Sequence, residues 1–315
     1  MINFRFHVVS LIAIFLALAL GVVIGAGVIE RGLVDTLNNR LDRVEAKSDR
    51  IQSANDKLSA ENSQLSQAIG SMQPFSVKGP DAGRLQGDDI GIVAVRGVSG
   101  DTVNNLVTAT QQADATVTGK LWLEEKWKLD SADDVKALQD AIGSSAKNKA
   151  TLRTEGWKQL AERLSNPTLV GDASNDLLVV LQQAGFLGFD AIAGSTITDF
   201  PGSGAGVSLV VGTQGSLDPD IVALPLASAL HAAEVPTVVA GVWVETTDGP
   251  ARADAVQPIR DNDLARTVST VDDLDLPQGP TTVVLAMSDL LLPTPTVGHY
   301  GYGPLTKPMP DPGNA

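Results

Sequence analysis

Cysteine is absent from this 315-residue chain. Its absence excludes disulfides, zinc–thiolate centres and thiol nucleophiles together. Aromatic residues make up only 4%. A transmembrane β-barrel needs aromatic girdles and many alternating segments of about ten residues, so a barrel pore is poorly matched. Histidine occurs three times, at His7, His231 and His299, with no His-x-x-x-His pair. Beyond the first residue the methionines are Met72, Met287 and Met309, with no Met-x-x-Met. Copper(I) prefers thiolate and thioether ligands, so no soft-metal ligand set is legible and no cofactor is expected from the residues. Basic residues are also few, 23 against 37 acidic, for a net charge of −14. That balance argues against a nucleic-acid partner. No Ser-His-Asp arrangement can be read either, and the chain is expected not to be an enzyme.

Long apolar runs are present once. Val8 to Ile29 contains no charged residue, and Ser10 is its one clearly polar side chain. As a helix this stretch extends about 33 Å, enough to cross a hydrocarbon core of roughly 30 Å. A cleaved signal peptide is the competing reading, with Ile24-Gly25-Ala26 as its cleavage site. The run exceeds the ~7–15 residues of a typical signal core, which favours an uncleaved anchor. Arg5 on one flank, against Glu30, Arg31 and Asp35 on the other, places residues 1–7 as a short cytoplasmic tail and the bulk as exported. Ala13, Ala17, Gly21 and Gly25 recur every four residues and form a small-residue ridge of the kind that lets two membrane helices pair closely.

A heptad repeat follows, with a coiled coil expected over residues 30–73. With Val34 at position a, the a series is Val34, Leu41, Ser48, Asn55, Asn62 and Ile69, and the d series is Leu37, Val44, Ile51, Leu58, Leu65 and Met72. Every d residue is apolar, which argues for a coiled coil, and Asn at position a favours a parallel, in-register dimer. Ser48, Asn55 and Asn62 interrupt the a series with polar layers. They specify register and oligomer state, or they mark a segment that opens to accept a partner helix. Pro74 stops the helix, and residues 74–88 read as a linker.

Residues 89–292 alternate strand-like and helix-like runs. Strands are expected at Ile90–Val95, Ala115–Leu123, Ala205–Gly212, Thr237–Trp243 and Thr282–Met287. Helices are expected at Thr102–Gln112 (capped by Ser99), Ser131–Ala141, Leu152–Leu164, Leu177–Gln183 and Asp218–Glu234. Apolar strands alternating with helices predict a mostly parallel sheet covered on both faces, a Rossmann-like α/β domain. Two lobes divided near Pro167 are the variant. Residues 293–315 form a Pro/Gly-rich tail whose end is expected to be disordered.

Three features invite a site. Gly202, Gly204 and Gly206 precede a strand, the wrong order for a phosphate loop, so they read as a loop. Asp272, Asp273 and Asp275 are a carboxylate cluster, but their spacing fits no calcium loop, and a capped turn is the better reading. His299 and Tyr300, between Gly298 and Gly301, read as a tail motif docking on the domain.

Several stretches resemble a known family. Phe6-His7-Val8-Val9-Ser10-Leu11 and Ala17 to Gly25 are similar to the start of the actinobacterial MctB family, named for mycobacterial copper transport protein B. Ser269 to Asp275, Val283 to Met287 with Asp289 and Leu290, and Val297 to Gly301 resemble its C-terminal signature. Asp272, Asp273, Gly298, His299, Tyr300 and Gly301 are the family-motif residues. The resemblance implies copper transport or efflux by name. It also implies, for division-linked members of the SteB type, a cytoplasmic or membrane division partner and an influence on peptidoglycan hydrolases. Weighed together, these imply a membrane-anchored homodimeric scaffold of the cell envelope, with copper efflux as the alternative.

Overall fold

The computed structural model describes residues 6–25, 40–41, 43–55, 83–166, 173–212, 215–242, 245–246, 249–250, 255–301, 306–307 and 309–310. The chain divides into two compact units, Met1–Leu65 and Ser66–Ala315.

In the first unit, α1 (Phe6–Gly25) is one apolar helix long enough to cross a membrane, with a mean hydropathy of 2.9. Residues 43–55 are also helical.

The second unit is an α/β fold built on a seven-stranded sheet. In chain order it contains β1 (Ile90–Val95), α2 (Gly100–Gln112), β2 (Gly119–Leu123), α3 (Ala132–Ile142), α4 (Lys149–Ser165), α5 (Leu177–Gln183), β3 (Leu187–Ala191), β4 (Gly206–Gly212), α6 (Pro219–Ala232), β5 (Thr237–Val242), β6 (Glu245–Thr246), β7 (Gly249–Pro250), α7 (Gln257–Arg260), β8 (Ser269–Val271), α8 (Gly279–Leu291) and β9 (His299–Tyr300). The sheet order is β3-β2-β1-β4-β5-β8-β9, and β6 pairs with β7 separately. Every neighbouring pair in the large sheet is parallel except β2 with β3. Strands from both sides of Pro167 therefore share one sheet. α2 and α8 pack together, as do α4 and α6. β1 and β4 are buried along their whole length, which is why they read as unbroken apolar runs.

Local chemistry explains most element ends. Ser131 and Asp134 form a reciprocal capping box at the start of α3. Asn148 caps α4, and Asp176 caps α5. Ser99 precedes α2 but makes no side-chain cap.

Three sequence expectations need correction. Thr282–Met287 is not a strand. It lies inside α8, whose residues Gly279–Leu290 are all buried. A helix enclosed on every side shows the same uninterrupted apolar run as a buried strand, so periodicity does not separate them. The second strand covers only Gly119–Leu123, because Thr116 makes no more than an isolated bridge to Asp89. The sheet also continues past residue 292, where His299 and Tyr300 pair with Thr270 and Val271.

Between α4 and the sheet edge the core is aromatic. Trp127 stacks on Trp157 with ring centroids 3.7 Å apart and meets Phe186 edge-on at 5.3 Å. Each indole N–H is satisfied: Trp127 donates to the Phe186 carbonyl at 3.0 Å and Trp157 to the Ile221 carbonyl at 3.1 Å. The second bond has a cause in sequence. Pro225 lies inside α6 and has no N–H to give the carbonyl four residues before it. Trp157 fills that place and ties α4 to α6. Nearby, Arg163 grips Asp176 with two bonds, at 2.9 and 2.7 Å, and reaches the carbonyls of Thr198 and Phe200. This buried fork joins α4, α5 and the loop before β4.

Gly156 makes the indole stack possible, because a Cβ there would stand 2.8 Å from Trp127 Cζ3. Gly156→Val is expected to cost about 1–3 kcal/mol through overpacking. Thermal unfolding of the variant, with near-ultraviolet dichroism following the two indoles, measures it.

Candidate functional site

Where they are described, the residues expected to pair two chains are exposed, save Gly25, which is half-buried. α1 carries Ala13, Ala17, Gly21 and Gly25 along one ridge, and nothing lies within 4 Å of a Cβ built on Gly21 or Gly25. On the 43–55 helix and just before it, Leu41, Val44 and Ile51 are 58%, 65% and 53% exposed. Ser48 and Asn55 share that helix and are exposed too. Val34, Leu37, Leu58, Asn62, Leu65, Ile69 and Met72 lie outside the described residues.

The C-terminal motif residues converge on the β8–β9 edge of the sheet. β8 carries Thr270 and leads into Asp272 and Asp273, all fully buried or nearly so. β9 lays His299 and Tyr300 beside β8. The group that joins them is Arg260, on α7. Its Nε donates to Thr270 Oγ1 at 2.8 Å. One terminal nitrogen donates to Asp272 Oδ2 at 2.7 Å and the other to the Tyr300 carbonyl at 3.0 Å. The Arg260 and Asp272 side chains are 5% and 0% exposed, so this is a desolvated ion pair with its donors engaged.

The network extends to His299. Its Nδ1 lies 2.9 Å from Thr270 Oγ1, and its Nε2 lies 3.1 Å from the Ala265 carbonyl. The carbonyl can only accept, so Nε2 carries the proton and Nδ1 accepts from the Thr270 hydroxyl. Thr270 in turn accepts from Arg260. Neutral His299 is thus satisfied at both nitrogens and offers no open lone pair to a metal.

The motif glycines have steric reasons. Gly301 has φ +116, and a Cβ there would collide with the Asp272 carboxylate. A Cβ on Gly298 would collide with the Tyr300 ring and hydroxyl. The backbone of Gly298 also ties the edge together: its N–H donates to Ser269 Oγ and its carbonyl accepts from Thr270 N–H. Asp273 accepts from Gln278 at 3.0 Å, within the turn leading into α8. The carboxylate cluster is thus divided between an arginine fork and a turn. Among the described residues no group of three or more His, Cys, Asp or Glu is placed to hold a metal ion.

Electrostatics mark the same edge. Burial, reinforced by the Arg260 charge, pushes the His299 pKa down from 6.5. Asp289 on α8 is buried, with Arg84 at 3.9 Å, and burial raises its pKa despite that cation. Burial, then the Asp289 charge, raises the Tyr300 phenol. His231 sits on α6, in its last turn, away from this network. Gly202 and Gly204 lie in the turn before β4, both at positive φ, as a loop requires. A half-open groove of about 190 Å³ runs between α4 and α6 and includes Arg153, Trp157, Asp220 and Pro225.

Arg260, Thr270 and Arg84 were not legible as partners. Arg260 sits in an unremarkable Gln-Pro-Ile-Arg stretch, and no local pattern signals that it reaches 40 residues onward to β9.

The buried fork and the neutral imidazole each make an expectation. Arg260→Met strands Asp272 in a dry site and should cost about 3–5 kcal/mol in denaturant unfolding. His299 binds a proton less readily when folded than when unfolded. Stability is therefore full above pH 6.5, the ordinary value, and falls as pH drops below it. Melting temperature followed from pH 7.5 downward should show that slope, and His299→Gln should flatten it.

Comparison with known proteins agrees with the family resemblance. The family model described as copper transport outer membrane protein, MctB, matches residues 1–310. A Mycobacterium leprae protein named copper transporter MctB is 31% identical over 323 residues, covering 96% of this chain and 97% of its own. Proteins of that name from Mycobacterium tuberculosis and Mycobacterium bovis are each 28% identical over 334 residues, with the same coverage. The match reaches from α1 through the β8–β9 edge, and the chain belongs to the MctB family.

Proposed function

We propose that this protein is a membrane-anchored, dimeric scaffold of the cell envelope, its exported coil offering a docking surface to a partner. The observation that carries the reading is the stripe of Leu41, Val44 and Ile51, more than half exposed on a helix of the single chain. Apolar residues at heptad spacing stabilise a helix when they are buried against another helix. A second copy supplies that burial, with the Ala13 to Gly25 ridge continuing the contact in the membrane. The polar layers at Ser48, Asn55 and Asn62 loosen the seam and offer a place for a partner helix. In this reading the tail before α1 is cytoplasmic and the α/β unit is exported. The partner is a division protein in the cytoplasm or membrane, and the output is control of a peptidoglycan hydrolase. The protein is then not an enzyme.

A second reading has its own support. Relatives matched over nearly their full length are named copper transporters, and this chain then serves copper efflux. The described residues favour the scaffold, because His299 is occupied at both nitrogens and Asp272 is held by Arg260.

Purified full-length protein in liposomes separates the two. The scaffold reading expects no copper flux above empty vesicles. It also expects capture of a wall hydrolase that is lost when residues 34–72 are replaced by an unrelated coil. Robust copper flux overturns it.

A further inference from the structure

The two edges of the seven-stranded sheet are finished differently. At the β9 edge the chain covers itself: Gly301 N–H donates to the Lys307 carbonyl at 2.9 Å, and Lys307 N–H donates to the His299 carbonyl at 3.0 Å. At the other edge stands β3, the one antiparallel member. The phase of its pairing is set by two flanking bonds, Glu124 N–H to the Phe186 carbonyl and Ile192 N–H to the Thr118 carbonyl. Hydrogen-bonded pairs alternate in an antiparallel ladder, so Gly188 and Asp190 face β2. The N–H and C=O groups of Leu187, Phe189 and Ala191 point outward. Among the described residues none of these outward groups has a partner. The strand carries no proline, and its one charged side chain, Asp190, is engaged by its neighbours. Leu187 at its start is buried, Phe189 is half-buried and Ala191 is exposed, so the open stretch of this edge runs from Phe189 to Ala191.

We propose that β3 is the edge along which a second copy of this chain adds its own β3, antiparallel, to make one continuous sheet across a two-fold axis. The register follows from the outward groups. With Phe189 on the axis, its N–H and C=O exchange bonds with those of Phe189 in the second copy, and the buried Leu187 takes no part. A two-fold contact needs a self-complementary surface, and the charges supply one. In this register Asp190 of the second copy stands opposite Gly188. Arg96 reaches that point. It lies over the Trp122 ring at 4.5 Å, and a Cβ on Gly188 would be 2.5 Å from its terminal nitrogen. Glu124 takes Arg96 Nε and that same nitrogen, leaving the other free among the described residues. Asp190 has a half-exposed side chain, held by Lys120 at 3.3 Å and Trp122 Nε1 at 2.8 Å. It can accept from the second copy's arginine without losing either contact. Gly188 is thus small for two reasons: Arg96 must pass over it, and the incoming carboxylate must reach that arginine. The pairing deepens the dimeric reading above and rests on it for the second copy. What it adds is a contact in the α/β unit, independent of the coil.

Hydrogen exchange on the purified full-length wild-type protein tests it without a mutation. The amides of Phe189 and Ala191 should exchange about tenfold or more slower than open edge amides. The absence of native cysteine allows single thiols to identify the contact. Phe189→Cys in full-length protein in membranes should form a disulfide under mild oxidation, since facing Cα atoms of a hydrogen-bonded pair lie about 5.5 Å apart. Asp190→Ala should lower that yield severalfold and leave crosslinking at Asn55→Cys unchanged. Fast exchange at the two amides, with Asn55→Cys crosslinking intact, overturns the strand pairing and keeps the coil dimer. Fast exchange with neither thiol crosslinking overturns both. Slow exchange without a Phe189→Cys disulfide overturns the register.

Discussion

One buried guanidinium closes the sheet. Arg260 has its Nε on Thr270, one terminal nitrogen on Asp272 and the other on the Tyr300 carbonyl. It therefore joins α7, β8 and β9 by bonds that each satisfy a group otherwise expensive to bury. His299 adds to the same arrangement through Thr270. The consequence is a two-residue strand, β9, that holds its place despite being too short to be stable alone. Asp272, His299, Tyr300 and Gly301 all take part in this closure.

The opposite half of the unit is held by a different kind of contact. Trp127, Trp157 and Phe186 form an apolar cluster around which α4, α6 and the β3 edge assemble. Here the polar bonds follow the packing: each indole N–H finds a carbonyl, one of them freed by Pro225. The buried Arg163–Asp176 fork fixes the helix connections beside it. One edge is thus closed by polar bonding and the other is packed but left open along its backbone. That difference separates an edge whose backbone is bonded by the chain's own tail from one whose outward groups at Phe189 and Ala191 have no partner among the described residues.

Function in this reading belongs to surfaces rather than to a reactive pocket. The chemistry-bearing residues of the C-terminal motif are consumed in structure. His299 is satisfied at both nitrogens, and Asp272 is neutralised by its arginine. Among the described residues, the small-residue ridge of α1, the apolar stripe at Leu41, Val44 and Ile51, and the end of β3 from Phe189 to Ala191 face outward. All three are shapes that a second helix or strand completes, which fits a protein that assembles and recruits.

Much of this was legible in the chain itself. The apolar run of α1, the α/β alternation, the boundaries of β1 and α5 and the start of β5 follow from hydrophobic spacing and caps, which are local properties. The motif residues around Asp272 and His299 also stood out, though not their purpose. Tertiary structure alone decided the rest. It made Thr282–Met287 a helix, because burial on every side erases the periodicity that distinguishes helix from strand. It recruited Arg260 to residues 10, 12 and 40 positions away, contacts set by the winding of the sheet and by no local pattern. It also set the phase of β3, and with it which backbone groups face outward, because strand register is a property of the pair rather than of either sequence.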